Sequence, residues 1–294
     1  MSVVTKTKIY RPRFSLNRDR FSQRAQLLIA HAILLGYSLL AITPVLIVVI
    51  NSLKARRAIF ANPYGLPNEA TFDLVGYKTL ADNGNYPSYF LNSILVVSIS
   101  LILILWFGSM AAFALKEYKF PGNTLLGLYM AIGIMIPIRL GTVSLLKMMV
   151  SLKLINTLAA LILVYTAQNL PITIFILSSF FERIPQDLKD AARVDGASEY
   201  RIYTLVLPLI RPALGTVAVF TMIPVWNDLW FPLILAPAEN VKTVTLGSQT
   251  FLGQFLNDWN AVLAALTLSM IPILILYIIF ARQLVRGITS GAVK

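Results

Sequence analysis

Cysteine is absent from the 294 residues, and histidine occurs once, at His31. The first absence excludes disulfides, thiolate metal sites and cysteine nucleophiles. With His31 alone inside an apolar run, the usual zinc constellations are excluded as well. No GxxxxGK[ST] loop is present to cradle nucleotide phosphates. Charge is also scarce: Asp, Glu, Lys and Arg make up 13% of the chain, against 57% hydrophobic residues. Mean hydropathy is +0.74. A soluble domain carries roughly a quarter charged residues, so this composition belongs to an integral membrane protein. An intramembrane enzyme has no support, because carboxylates do not cluster in the apolar runs.

Long uncharged runs are what the sequence has instead. They occupy Ala25–Leu53, Asn83–Leu115, Phe120–Ile138, Leu154–Phe181, Pro212–Asn227 with a continuation past Asp228, and Trp259–Ala281. A helix crosses the hydrocarbon with about 20 apolar residues. The runs therefore predict an all-α polytopic membrane protein with six transmembrane helices, over 26–50, 89–114, 123–147, 156–180, 213–236 and 261–281. A cleaved signal would have a short apolar core, whereas the first run is 29 residues long and is expected to stay as a span. The expected organisation is a basic N-terminal arm (1–24), a first helix (25–50), an extracytoplasmic loop (51–88), a five-helix core (89–281) containing a cytoplasmic loop (182–212), and a tail (282–294).

Lys and Arg set the expected orientation. Seventeen fall in the arm, the 116–122 loop, the 181–212 loop and the tail, and six fall in the alternate loops. Both termini are thus expected in the cytoplasm. The net charge of +12 needs no nucleic acid, since basic residues beside a first span already have a topological role. On the other side, 237–260 is too polar to span and too apolar for a plain solvated loop, and is expected to be re-entrant or to contact a partner.

The 182–212 loop mixes five acidic and five basic residues. Pro185 and Asp187 suit a helix start. QDLKDAARVD follows, and Gly196 is placed to end that helix in a left-handed conformation. Ser198 can cap a second helix, ASEYRIYTLVL, which leads through Pro208 and Pro212 toward the next span. A slim helix–turn–helix results, able to enter a groove on a facing surface.

The segment DAARVDGASEYRIYTLVLP resembles the EAA motif of ATP-binding cassette importer permeases. Asp190 stands in place of the usual Glu, Ala191 and Ala192 match the two alanines, and Asp195 and Gly196 match the DG of the sugar-importer branch. FLNSILVV, GSMAAFALKEYKFPG, LINTLAALILVYTAQNLPITIFIL and the C-terminal VRGITSGAVK are similar to further pieces of MalG-like permease subunits, in the same order. The resemblance implies the type I importer permease (MetI-like) fold in a bacterial inner membrane. It further implies coupling to a homodimeric cytoplasmic ATPase through Asp190, Ala191, Ala192, Arg193, Asp195, Gly196, Glu199 and Pro208. ATP and Mg would be bound by that ATPase, with no cofactor in this chain. A second, MalF-like permease, an extracytoplasmic solute-binding protein and membrane lipid are the other implied partners.

Asn92, Gln168, Asn169, Trp226, Asn227 and Asp228 are candidates to line a translocation path, with Trp226, Trp230 and Asn227 supplying the faces and amides a sugar would need. Each can equally be glue between helices. Asp228 stands apart, because a carboxylate in lipid is costly and generally faces a cavity or a partner such as Arg139. Pro137, Pro171, Pro224, Pro232 and Pro272 permit kinks. The competing reading is a self-contained ion-coupled carrier with Asp228 as its charge-bearing group. A polyol or glycerol phosphate would fit the same path as a sugar.

Overall fold

The structure, a computed structural model, describes residues 16–82, 85–252 and 258–292, with side chains of 16–23 and 281–292 left aside. In chain order the helices are α1 (Leu16–Ser52), α2 (Arg56–Ala61), α3 (Val75–Asp82), α4 (Tyr86–Glu117), α5 (Asn123–Met135), α6 (Thr142–Ser151) and α7 (Leu158–Phe181). They continue as α8 (Gln186–Val194), α9 (Glu199–Val206), α10 (Arg211–Asn227), α11 (Trp230–Leu235), α12 (Val244–Ser248) and α13 (Trp259–Ala292). Among the described residues the only extended pairing is an isolated bridge between Lys54 and Phe72.

Among the described residues, five helical segments are long and apolar enough to cross a membrane, and one further pair is bent. That pair, residues 123–135 and 138–151, turns by 88° within the expected third span, at the place where Pro137 permits a kink. The cause is local. Pro137 has no N–H for the helix and its ring collides with the preceding turn, while Ile136 is pushed to φ −78°, ψ 119° as residues before proline are. The fifth span differs from expectation. Its helix stops at Asn227, Asp228 is extended at ψ 131°, and α11 starts afresh at Trp230. At its other end it begins early: α9, a 3₁₀ turn at Leu207–Ile210 and α10 follow one another as a single 29-residue element from Glu199.

At both ends of the chain a helix continues beyond the expected span. α1 starts inside the basic arm at Leu16, and α13 runs to Ala292 through the segment expected as a tail. Residues 1–15 of the arm, and Val293 and Lys294 of the tail, lie outside the described residues.

Packing centres on α4, α7, α10 and α13. Two apolar clusters lie along the bundle. One holds Tyr89, Val96, Leu161, Tyr165, Trp226, Leu235 and Val244. The other holds Phe113, Leu177, Phe181, Ile202, Val206 and Ile210 at the end bearing the 182–210 segment. α4 and α7 approach so closely that a Cβ on Gly108 would lie 2.4 Å from Thr173 Cγ2. By contrast α1 leaves Leu28, Leu35 and Leu40 exposed, and α5 exposes Leu125, Tyr129 and Met135. Apolar faces of this kind suit hydrocarbon or another apolar helix.

Candidate functional site

The 182–210 segment folds as a projection with a built-in turn. Gly196 ends α8 at φ +77°. The Ala197 N–H donates to the Ala192 carbonyl at 2.9 Å, and the Gly196 N–H to that of Arg193 at 3.0 Å. That is the double bond pattern of a Schellman cap, and only glycine takes the left-handed position without strain. Ser198 Oγ then accepts from the Arg201 N–H at 3.4 Å and opens α9. Pro208 sits in the following 3₁₀ turn.

α8 presents an unusual surface for a bundle helix. Its one buried residue is Lys189. Asp187, Asp190, Ala191 and Asp195 are exposed, as are Leu188 and Val194. Ala192 alone of its apolar side chains packs against the neighbouring cluster.

Charges anchor this helix. Glu117, at the end of α4, is 3% exposed and accepts from Lys189 Nζ and Arg193 Nη2, with Gln186 Nε2 at 3.4 Å. Arg193 also donates to Asp190 Oδ1 at 2.9 Å and to Glu199 Oε1 at 3.0 Å. Its guanidinium is held above its ordinary pKa by the bonds to Glu199 and then Glu117. Tyr118 Oη donates to Glu199 Oε2 at 2.8 Å. Burial first, then the bond to Glu199, pushes Tyr118 up to about 12, so it remains a donor at neutral pH. Within the chain Asp190 is bonded by Arg193 and by Gln186 at 3.1 Å, while its side chain stays 55% exposed. Sequence reasoning missed Glu117. Its only signal was the charged KEYK group closing a long uncharged run.

The candidate pathway residues do not form one site. Asn92 is buried and donates to the Asn240 and Lys242 carbonyls, each at 3.0 Å. Trp226 is a core residue, 4% exposed, with Nε1 bonded to the Ser269 carbonyl at 3.1 Å and its ring edge-on to Phe90. Both serve packing. Gln168 and Asn169, in contrast, come together with Gly133, Ile136 and Pro171 in a cleft of about 540 Å³ at the bend of the third span. The Asn169 amide bonds the Tyr165 carbonyl, and Gln168 Oε1 has no hydrogen-bond partner among the described residues. Asn227 is exposed and bonded to the Ile223 carbonyl. Asp228 accepts from Tyr165 Oη at 2.8 Å, the Trp230 N–H at 3.3 Å and the Phe231 N–H at 3.1 Å. Arg139 approaches it at 3.9 Å and lies over the Trp230 ring.

Of the 237–260 segment, expected to be re-entrant or to contact a partner, residues 237–252 pack on the chain's own bundle. Val244 is fully buried and its N–H bonds Ser93 Oγ at 2.8 Å, and Thr245 Oγ1 donates to the Trp226 carbonyl at 2.9 Å. Residues 253–257 of that segment lie outside the described residues.

The fold is thus a helical membrane bundle with a broken span, internal polar groups and a charged projection between two spans. Residues 104–290 match the family described as binding-protein-dependent transport system inner membrane component. The match spans more than half of the chain, and the chain belongs to this family of ABC transporter permeases. Its members are non-catalytic transport components, and their systems in general include a partner permease, an ATPase and a solute-binding protein.

Named relatives agree. The diacetylchitobiose uptake system permease protein NgcG of Streptomyces coelicolor is 33% identical, over 93% of this chain and 91% of that one. The arabinooligosaccharides transport system permease protein AraQ of Halalkalibacterium halodurans is 32% identical, over 87% and 92%. The trehalose/maltose transport system permease protein MalG of Thermococcus litoralis is 33% identical, over 75% and 84%. In fold, the chain is similar to a solved bacterial ABC transporter involved in the import of the acidic polysaccharide alginate. That likeness has a TM-score of 0.74 at 22% identity, covering 92% of this chain and 99% of that one.

Proposed function

We propose that the chain forms half of the translocation pathway for ATP-driven uptake of a sugar or oligosaccharide, with α8 and α9 docking in a cleft of a homodimeric cytoplasmic ATPase. ATP and Mg bind on that ATPase. A MalF-like second permease supplies the other half, and an extracytoplasmic binding protein delivers the cargo. The protein lies in a bacterial cytoplasmic membrane with both termini and α8 on the cytoplasmic side, in keeping with the excess of Lys and Arg there.

The observation that carries the reading is α8 itself: a capped helix that turns Asp187, Asp190, Ala191 and Asp195 outward while its basic residues Lys189 and Arg193 hold it to the bundle. A partner is thereby offered a firm, mostly acidic face. The di- and oligosaccharide names of the relatives support a carbohydrate cargo. An ion-coupled carrier is disfavoured because the Asp228 carboxylate is already taken by one hydroxyl and two backbone N–H groups, leaving little of it to bind a coupling ion.

Two measurements test this. Since the chain has no cysteine, a cysteine placed at exposed Val194 is expected to cross-link to the ATPase, and labels at Asn68 and Glu239 to react from outside while one at Ser198 reacts from inside. Vesicles holding the full assembly are expected to take up labelled diacetylchitobiose, arabinotriose or maltose only with internal ATP. Uptake by this chain alone under an ion gradient would overturn the proposal.

A further inference from the structure

Three consecutive residues at the end of α4 reach three successive parts of the projection. Lys116 Nζ bonds Glu182 at 2.8 Å, beside the end of α7. Glu117 takes Lys189 and Arg193 of α8. Tyr118 bonds Glu199 at the start of α9. α9 and α7 are in addition fixed to α4 by burial: Phe113 packs edge-on to Phe181, Tyr203 and Tyr118, and Tyr203 Oη meets Ser109 Oγ at 2.7 Å. α8 has no such backing beyond Ala192. Its attachment is ionic, and it is made to a helix 72 and 76 residues away in sequence.

We propose that Glu117 is a positioning residue for coupling: its buried carboxylate clamps α8 to the end of α4, so that a displacement of α8 moves α4 together with the helices α7 and α10 that flank the loop. The proposal rests on reading α8 as the ATPase contact. Lys189 and Glu117 are 9% and 3% exposed. Water is largely excluded from the two side chains, so their attraction is weakly screened, and removing one partner leaves the other charge buried and uncompensated. Glu117 also holds Arg193, the residue that binds Asp190. A partner that pulls on the exposed Asp190 side chain therefore pulls, through one guanidinium, on α4. If α4 merely followed α7 through their long shared packing, the clamp would be dispensable, and the two ideas give opposite results.

The test uses the complete transporter in lipid nanodiscs, with spin labels on cysteines introduced at exposed Lys119 and Val194 and partner cysteines replaced. Double electron–electron resonance in the unmodified chain is expected to give one narrow distance distribution, unchanged in mean between nucleotide-free and ATP-bound states. In Glu117→Gln, the ATPase still co-purifies, and the distribution broadens and lengthens when ATP is added. Glu117→Asp, which keeps the charge but not the size, is expected to keep the distribution narrower than Glu117→Gln does, the reverse of what a purely space-filling role gives. An unchanged distribution in Glu117→Gln, or one as broad in Glu117→Asp, overturns the clamp. If Glu117→Gln fails to insert, Lys189→Gln is read in its place, with the same broadening expected. Absence of a Val194 cross-link to the ATPase in the otherwise unmodified chain overturns the docking reading, and the clamp with it.

Discussion

At opposite ends of the α10 span lie two segments too polar to cross a membrane, and they are tied to the bundle by different forces. Residues 237–252 are sunk: Val244, Leu246 and Ser248 are buried, the backbone is caught by Asn92 and Ser93, and Thr245 Oγ1 donates to the Trp226 carbonyl. Residues 186–199 stand out from the surface and are held mainly through Glu117, Arg193 and Glu199. A segment anchored by burial spends its side chains on its own chain and has little left to show a partner. One anchored by a few ion pairs stays firm while its outer face remains open. The second arrangement is what a docking element needs.

The comparison can be broken most severely at Tyr89, whose ring is 3% exposed and lies where a side chain on Gly247 would go. Tyr89→Ala is expected to destabilise the chain by about 3–5 kcal/mol, as truncated core aromatics do, read as a lower melting temperature in detergent with early proteolysis of 237–252. Removing a single polar anchor is milder. Ser93→Ala leaves the buried Val244 N–H unpaired and is expected to cost about 1–3 kcal/mol, with faster amide exchange confined to 242–248.

At the other segment the same kinds of change have smaller effects on stability. Gly196→Val forces a branched residue into φ +77°, yet the space around it is open, so strain of about 1–2 kcal/mol is expected in the turn alone. Membrane insertion should be normal and co-purification of the ATPase reduced. Smallest is Asp190→Asn. The side chain is 55% exposed and its pairing with Arg193 is a surface contact, worth about 0.2–1 kcal/mol. Its melting temperature should barely move, and any larger change should appear only in ATPase binding.

Much of this was legible along the chain because the signals were local. Gly196 lies at the left-handed cap and Ser198 opens the next helix, as their positions in DAARVDGAS required. The apolar runs located the second and fourth spans within a few residues, but not the bounds of the fifth, which begins at Glu199. In the third, Pro137 marks where a kink is allowed, but run length says nothing about how sharply the helix turns there. Asn92 and Trp226 were read as candidates for a path because a polar or aromatic residue in a span looks the same whether it faces a cavity or a neighbouring backbone. Only the position of Asn240, Lys242 and Ser269 distinguishes the two.

By itself, then, the sequence determined what depends on chain neighbours: the all-helical membrane class, the caps and turn of the projection, and the motif order that marks the permease family. Tertiary structure decided which distant groups meet. No spacing rule joins Glu117 to Lys189 and Arg193, or Asp228 to Tyr165. Those pairings exist because α4, α7 and α10 pack on one another and bring residues of separate helices within a few ångströms, where a carboxylate shielded from water must find a donor.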